Sequence, residues 1–457
     1  MTATRTETVM AEIRGRVARR ALAPGEKLPS IRRLARDMRL SPSTVVEAYD
    51  RLAAEGLIRS RPGSGFYVTG AVPPVALADV EPRLDRAIDP FWVSRQSLDA
   101  GPEMLRPGCG WLPPAWMPEA AIRRAMRALA KADGAQLTDY GATRGSLALR
   151  RLLVRQLAAE GIEAGADQVL LTASGTQAID LICRFLLNPG DAVLVDDPCY
   201  FNFQALLRAH KAQIVGVPYT PTGPDPARFA EALATHRPRL YITNAALHNP
   251  TGATLSPQVA HRLLTAAAAH DLTIVEDEIF ADLEPEPSPR LAALDGLSRV
   301  IRIGSFSKTL SASIRCGYIA TRPDWIEGLV DLQVATSFGG PSPIAAELVF
   351  RTLSDGSYRK HLAELRTRLA RRRREALGQL DGLGIRPWTL PRGGFHLWCR
   401  LPGGRDAAEV ARAALRERVV LAPGDVFSVT RSATDLMRFN VAQMDAQVLR
   451  VLARALG

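Results

Sequence analysis

Val300-Ile301-Arg302-Ile303-Gly304-Ser305-Phe306-Ser307-Lys308, with Arg315 seven residues further on, is the stretch from which the rest of the chain can be read. The apolar run Val300 to Ile303 reads as a buried strand that stops at Gly304, just before two hydroxyls, an amine and a guanidinium arrive in quick succession. That combination is an anion site with a nucleophile in it. A lysine at the mouth of a strand can form a Schiff base with an aldehyde, while Ser305, Ser307 and Arg315 hold a phosphate beside it. On its own such a stretch is more often a solvated loop lysine; polar groups at the ends of other strands distinguish it from one.

Open α/β sheets build their sites at the carboxyl ends of strands. After Val169-Leu170-Leu171-Thr172 come Ser174, Gly175 and Thr176, and then apolar positions at helical spacing, Ala178, Leu181, Ile182 and Phe185. Free N–H groups at such a helix start attract phosphate. Leu240-Tyr241-Ile242-Thr243 is followed by Asn249-Pro250-Thr251-Gly252, and Thr273-Ile274-Val275 by Glu276 and Asp277. Pyridoxal phosphate needs this set: a lysine for its aldehyde, a carboxylate for its ring nitrogen, a donor for its ring hydroxyl and a cradle for its phosphate.

In this order, the motifs make the chain from about residue 100 onward resemble a fold-type I aminotransferase of the class I/II group. The resemblance implies a large α/β domain with a small C-terminal α/β subdomain. It implies that Lys308 forms the internal aldimine, that Asp277 pairs with the pyridine nitrogen, and that Asn249 bonds the ring hydroxyl. Ser174, Gly175, Thr176, Ser305, Ser307 and Arg315 would hold the phosphate. Tyr200, in Asp197-Pro198-Cys199-Tyr200, matches the aromatic that stacks on the ring. Tyr140, in Tyr140-Gly141 with Arg144-Gly145, matches the tyrosine that reaches the phosphate of a neighbouring subunit, which implies a homodimer. Arg438, in Met437-Arg438-Phe439-Asn440, corresponds to the arginine that binds an amino acid's α-carboxylate as a bidentate pair. The family segment matching Gly101 to Pro118 lies near the substrate mouth, so Gly108 to Trp111 are candidates for ligand contact. One departure stands out: the family tyrosine three residues after the ring-nitrogen carboxylate is Phe280 here, and a phenyl ring cannot donate to the ring hydroxyl.

The front of the chain has a different character. Residues 1 to 70 carry 13 Lys and Arg against seven Asp and Glu, so +6 of the net +11 sits there. A polyanionic partner suits that excess. Val9, Ile13 and Val17 recur every four residues, and Pro29-Ser30 introduces a short second helix. Ser41 as N-cap and Pro42 as first helical residue open a third, running to about Glu55. Leu57-Ile58-Arg59 and Phe66-Tyr67-Val68, joined through Arg61-Pro62-Gly63-Ser64-Gly65, read as a hairpin wing. Three helices and a wing make a winged helix-turn-helix. The residues Gly25-Glu26-Lys27-Leu28-Pro29-Ser30, Ser41 to Tyr49, Glu55-Gly56-Leu57-Ile58 and Gly63-Ser64-Gly65 resemble the GntR-family DNA-binding domain. The whole chain resembles the MocR-type subgroup of GntR-family transcriptional regulators. That resemblance implies that Arg32, Ser43 and Thr44 face double-stranded DNA and that Arg59 and Arg61 grip it from the wing.

The expected domains are thus residues 1–70, a linker over 71–95 containing Pro73-Pro74, and an aminotransferase-like domain over 96–457. No run approaches the roughly 18 apolar residues of a membrane span, and no signal-peptide core opens the chain, so a cytoplasmic protein is expected. Cys109, Cys183, Cys199, Cys316 and Cys399 have no paired or metal-like spacing, and neither disulfide nor metal is expected. The basic run Arg371 to Arg374 reads as a solvated helix face rather than a DNA-facing patch. Two functions fit. In one, the chain is a regulator whose pyridoxal-phosphate domain senses an amino acid, an amine or the cofactor through Schiff-base exchange at Lys308. In the other, it is an active aminotransferase that carries a DNA-binding module. The front domain and Phe280 favour the first.

Overall fold

The computed structural model describes residues 4–18, 21–22, 25–69, 90–99, 101, 103–132 and 134–457. They belong to two compact units, Met1–Arg83 and Leu84–Gly457. Most of the linker expected over 71–95, including Pro73 and Pro74, lies outside the described residues, while residues 90–95 open a helix, Pro90–Asp99.

In the first unit, helices α1 (Arg5–Ala18), α2 (Ile31–Met38) and α3 (Pro42–Ala54) pack beside a hairpin of β1 (Ile58–Arg61) and β2 (Gly65–Val68). Capping sets the helix starts: Ser30 Oγ accepts from Arg33 N and Ser41 Oγ from Thr44 N. Each such cap contributes about 1 kcal/mol. Val9 and Ile13 of α1 meet Val45, Ala48, Tyr49 and Leu52 of α3 and Ile58 and Val68 of the hairpin in one buried core. Tyr49 satisfies its hydroxyl by donating to Pro29 O at 2.7 Å. The wing pairs Ile58 with Val68 and Arg61 with Gly65, and Gly65 takes φ +110, where an L side chain is strained.

The second unit is built on an eight-stranded mixed sheet. Its strands are β3 (Val169–Thr172), β4 (Ala192–Asp197), β5 (Gln213–Thr220), β6 (Gly223–Pro224), β7 (Leu240–Thr243), β8 (Thr273–Asp277), β9 (Val300–Ser305) and β10 (Gly317–Ala320), in the order β3-β10-β9-β8-β7-β4-β5-β6. The central ladders from β5 through β4, β7 and β8 to β9 are parallel, and β10 runs antiparallel between β9 and β3. Such strands are apolar on both faces because helices cover both. Alternate residues accordingly enter different cores: Leu171, Leu194, Tyr241, Ile274 and Val300 on one side, Leu170, Val193, Ile242, Val275 and Ile301 on the other.

The C-terminal part forms a separate antiparallel sheet. Its strands β11 (Arg386–Pro387), β12 (His396–Arg400), β13 (Ala422–Pro423) and β14 (Leu436–Asn440) lie in the order β11-β12-β14-β13. The fold is therefore an N-terminal winged helix-turn-helix followed in sequence by an α/β domain with a large mixed sheet and a small C-terminal antiparallel one. Among the described residues no helix is long and apolar enough to cross a membrane, and all five cysteines are free and buried.

Candidate cofactor site and nucleic-acid interface

Strand pleating separates the two acids at the end of β8. Glu276 accepts from Leu291 N at 2.6 Å and Ala292 N at 3.0 Å. It belongs to a buried charge group in which Arg302 pairs with Glu160 at 2.7 Å and Arg290 pairs with Glu284 at 2.7 Å and Glu278 at 3.1 Å. Asp277 points the other way. Its Oδ1 accepts from Ile279 N at 3.2 Å and its main-chain oxygen from Asn244 Nδ2 at 2.9 Å. Burial raises the Asp277 carboxyl to about 6. Of the two acids named from the sequence, Glu276 is structural and Asp277 faces the site.

Lys308 and Arg438 meet at one turn of chain. Lys308 Nζ donates to Gly110 O at 2.6 Å, and Arg438 donates through its terminal nitrogens to Gly108 O at 2.7 Å and Asn249 Oδ1 at 2.8 Å. Asn440 pins the same turn by donating to the carbonyls of Cys109 at 3.1 Å and Trp111 at 2.7 Å. Burial, helped by the Arg438 charge, pulls the lysine amine down to about 8. Arg438 is itself 1% exposed, and burial lowers it to about 10. No carboxylate pairs with either cation among the described residues, and Arg438 Nε has no hydrogen-bond partner. A buried arginine without an acid is costly, and an anionic ligand relieves it.

Ser174, Gly175, Ser305 and Ser307, four of the phosphate-cradle candidates, converge where β3 and β9 end and β10 begins. Ser174 caps the helix Gly175–Leu186 by accepting from Gln177 N. A Cβ on Gly175 would lie 3.8 Å from Ser305 Cβ, and one on Gly317 would stand 2.8 Å from Gly304 O and 3.0 Å from Ser174 C. The backbone approach that exposes the helix N–H groups therefore requires a bare position at 317. Ser305 and Ser307 share a hydroxyl contact of 3.0 Å. Thr176 and Arg315 are exposed, and Arg315 holds φ +55. Its charge reaches Lys308.

The flanking aromatics divide into two groups. Tyr200 is half-buried against Phe201 and Phe203, at centroid distances of 5.0 and 5.4 Å. The Phe280 ring lies 5.8 Å from Lys308 Nζ. Tyr140 is 80% exposed and packs edge-on against Phe338, itself 71% exposed, at 5.1 Å.

Residues 305, 307, 308, 277, 249, 174, 175 and 438 thus converge, whereas Tyr140 stands on the surface. Asn244 escaped notice in the sequence, although a polar residue directly after β7 carried the same signal as Asp277 directly within the end of β8. That Gly108 and Gly110 hold the two cations through carbonyls has no side-chain signature. The basic helix Ser357–Asp381 is more than a solvated face: Arg366 donates to Asp282 O at 2.8 Å, Arg373 to Gly394 O at 3.1 Å, and Arg372 to Met444 O.

The set fits a phosphorylated pyridine aldehyde. It offers an amine near neutrality, a carboxylate for the ring nitrogen, an amide whose Nδ2 is left to donate from Asn249, and a helix start backed by hydroxyls. Among the described residues no cluster of His, Cys, Asp and Glu is arranged to hold a metal ion.

On the first unit, Arg32, Ser43, Arg59 and Arg61 are exposed and Thr44 is half-buried. Ser41 Oγ contacts Ser43 Oγ at 2.9 Å and Thr44 Oγ1 at 2.7 Å, which fixes the start of α3. Arg61 lies over the Tyr67 ring at 4.6 Å, and no acid pairs with Arg32, Arg59 or Arg61 among the described residues. By contrast Arg14 and Arg51 are bound to Glu55 and Glu47.

Comparison with known proteins agrees with both units. Residues 115–456 match the family model of the class I and II aminotransferases, and residues 5–68 that of the bacterial regulatory proteins of the gntR family. The HTH-type transcriptional regulator YdcR of Escherichia coli is 29% identical over 444 residues, covering 94% of this chain and 93% of its own. YisV of Bacillus subtilis, also an HTH-type transcriptional regulator, is 27% identical over 417 residues, covering 89% and 86%. Among solved structures, α-aminoadipate aminotransferase LysN of Thermus thermophilus, complexed with N-(5'-phosphopyridoxyl)-L-leucine, superimposes with a TM-score of 0.73 at 28% identity over 80% of this chain and 94% of its own. The chain belongs to the class I and II aminotransferase family and, with its gntR-type domain in front, to the MocR-type GntR-family transcriptional regulators.

Proposed function

We propose that the chain is a pyridoxal-phosphate-dependent, DNA-binding transcriptional regulator whose aminotransferase-like domain senses an amino acid, an amine or the cofactor itself through exchange at Lys308 Nζ. One observation carries this reading. Lys308 and Arg438, two cations without carboxylate partners among the described residues, are both held on main-chain carbonyls of the turn Gly108 to Gly110. An amino acid brings a carboxylate to Arg438 and an amine to the place where Lys308 Nζ works. Its arrival replaces both carbonyls as partners of the two cations and leaves the turn held by Asn440.

Bound pyridoxal phosphate supplies an aldehyde carbon for which Lys308 and the incoming amine compete. The chain's own groups do the rest. Asp277, ionised above about pH 6, keeps a proton on the ring nitrogen. Asn249 Nδ2 donates to the ring hydroxyl and Tyr200 covers the ring. Ser174, Gly175, Thr176, Ser305, Ser307 and Arg315 hold the phosphate. Lys308, its amine lowered to about 8, sheds more readily than an ordinary lysine the proton it must lose before its nitrogen can bond that aldehyde. Tyr140, exposed beside Phe338, completes the phosphate site of a second copy in a homodimer. Arg32, Ser43, Thr44, Arg59 and Arg61 contact operator DNA. A shift between two populations, set by occupancy of the turn, links ligand to DNA.

The same near-neutral amine suits an aminotransferase, which is the second reading. Phe280 weighs against it by leaving the ring hydroxyl with one donor fewer. Protection of a promoter fragment that is lost on deleting residues 1–70 and altered by an amino compound is the result the regulator requires. Sustained turnover between an amino acid and a keto acid, with DNA binding indifferent to both, would replace it with the enzyme.

A further inference from the structure

His396 opens β12, directly opposite Asn440 of β14 in the antiparallel ladder, while Arg438 faces Trp398 two residues along. Paired residues project to the same side of a sheet, so His396, Asn440 and Arg438 share one face, with His396 a diagonal neighbour of Arg438 at about 7–8 Å. That face meets the turn Gly108 to Trp111, because Arg438 and Asn440 both donate to its carbonyls. The His396 ring packs 4.4 Å from Phe395 and 5.3 Å from Phe280, the ring that lies 5.8 Å from Lys308 Nζ.

This histidine is 4% exposed, and its Nε2 has no hydrogen-bond partner. Its burial and the charges of Arg438 and Lys308 keep the ring neutral, with its pKa well below the usual histidine range. A neutral imidazole carries one donor and one acceptor nitrogen. A buried polar atom left unpaired in a packed aromatic setting is destabilising, and a ligand that pairs it recovers that loss. Neither the cofactor set nor the carboxylate anchor uses this nitrogen.

We propose that His396 is a specificity-determining residue, whose free ring nitrogen hydrogen-bonds the side chain of the amino acid anchored by Arg438. The inference rests on the sensing function proposed above and deepens it by naming the ligand class. The recognised side chain carries a hydroxyl, amide or carboxylate. Cationic side chains are excluded by the adjoining charges of Arg438 and Lys308, and purely aliphatic ones leave the nitrogen unpaired. Sites built to pair a buried polar group reject analogues that lack it far more strongly than apolar pockets reject a change in size.

The test is a spectroscopic titration of the full-length, pyridoxal-phosphate-loaded protein with near-isosteric pairs: threonine and valine, asparagine and leucine, glutamine and methionine. In at least one pair the polar member is expected to bind tighter, by about tenfold or more. His396→Phe, which keeps an aromatic ring between Phe280 and Phe395, should bring that ratio to within about twofold while affinity for the aliphatic member is retained; His396→Gln should restore it. A role in packing alone would change both members together. Binding of amino acids by wild type without a polar preference in any pair would overturn the inference, whatever the variants do, and so would an unchanged ratio in His396→Phe. A loaded protein that responds to no amino compound at all would overturn the sensing function with it.

Discussion

At the scale of single residues, the site stores unfavourable charge that its ligands relieve. Asp277 titrates near 3.9 in an unfolded chain and near 6 in the fold, so between those values the folded state binds more protons and stability falls as pH rises. At neutral pH its charge is a liability without the cofactor. Asp277→Asn should therefore stabilise the cofactor-free protein by about 1–3 kcal/mol at pH 7, lose that advantage near pH 4, and weaken cofactor binding. Thermal unfolding at the two pH values checks the first part and absorbance titration the second; no gain at pH 7 would contradict it. Lys308 behaves conversely, with its amine near 8 in the fold and near 10.4 when unfolded, so its penalty is full below about pH 8 and fades as pH rises through that interval. Lys308, Asp277 and Asn249 were legible in the sequence because each is a polar residue at the end of, or after, an apolar strand, whereas Arg438, in the middle of β14, could be named only through the resemblance of Met437-Arg438-Phe439-Asn440. Nothing in the residues neighbouring His396 shows that one of its ring nitrogens lacks a partner.

At the scale of elements, the cofactor cradle depends on how closely three strand ends and one helix start approach. Gly317→Ala places a Cβ against Gly304 O and the backbone of Ser174. Cofactor affinity should fall at least tenfold, with a smaller effect on global stability, which parallel absorbance titration and chemical denaturation would separate. An alanine variant with unchanged affinity would show that the helix Gly175–Leu186 does not set the phosphate position. The parallel strands could be read from continuous apolar runs, and the wing from its Gly-Ser-Gly turn. The division of β8 into a structural Glu276 and a site-facing Asp277 could not. It depends on which face the helix Leu291–Asp295 caps, a long-range matter of packing. The arginines of Ser357–Asp381 likewise looked solvated because the carbonyls they hold, at Asp282, Gly394 and Met444, are distant in sequence.

At the scale of the molecule, exposed groups indicate partners. Arg59 and Arg61 project from the wing without acid partners among the described residues, so replacing either by Ala should weaken DNA binding and lower the slope of log affinity against log salt by about 0.9. Gel-shift titration across ionic strengths measures it, and an unchanged slope would remove that side chain from the DNA contact. Tyr140 and Phe338 form an exposed aromatic pair, which a second copy would cover. Phe338→Ser should lower the solution mass toward that of one chain in sedimentation, and a wild-type protein already monomeric would contradict the shared site. The sensing function depends on Lys308 as the point of covalent capture. Borohydride treatment of the pyridoxal-phosphate-loaded protein, followed by peptide mass mapping, tests that most directly. One irreversible pyridoxyl adduct is expected, on the peptide containing Lys308, suppressed by prior addition of an amino acid that binds; an unmodified Lys308, or an adduct only on other lysines, would rule out capture at this residue.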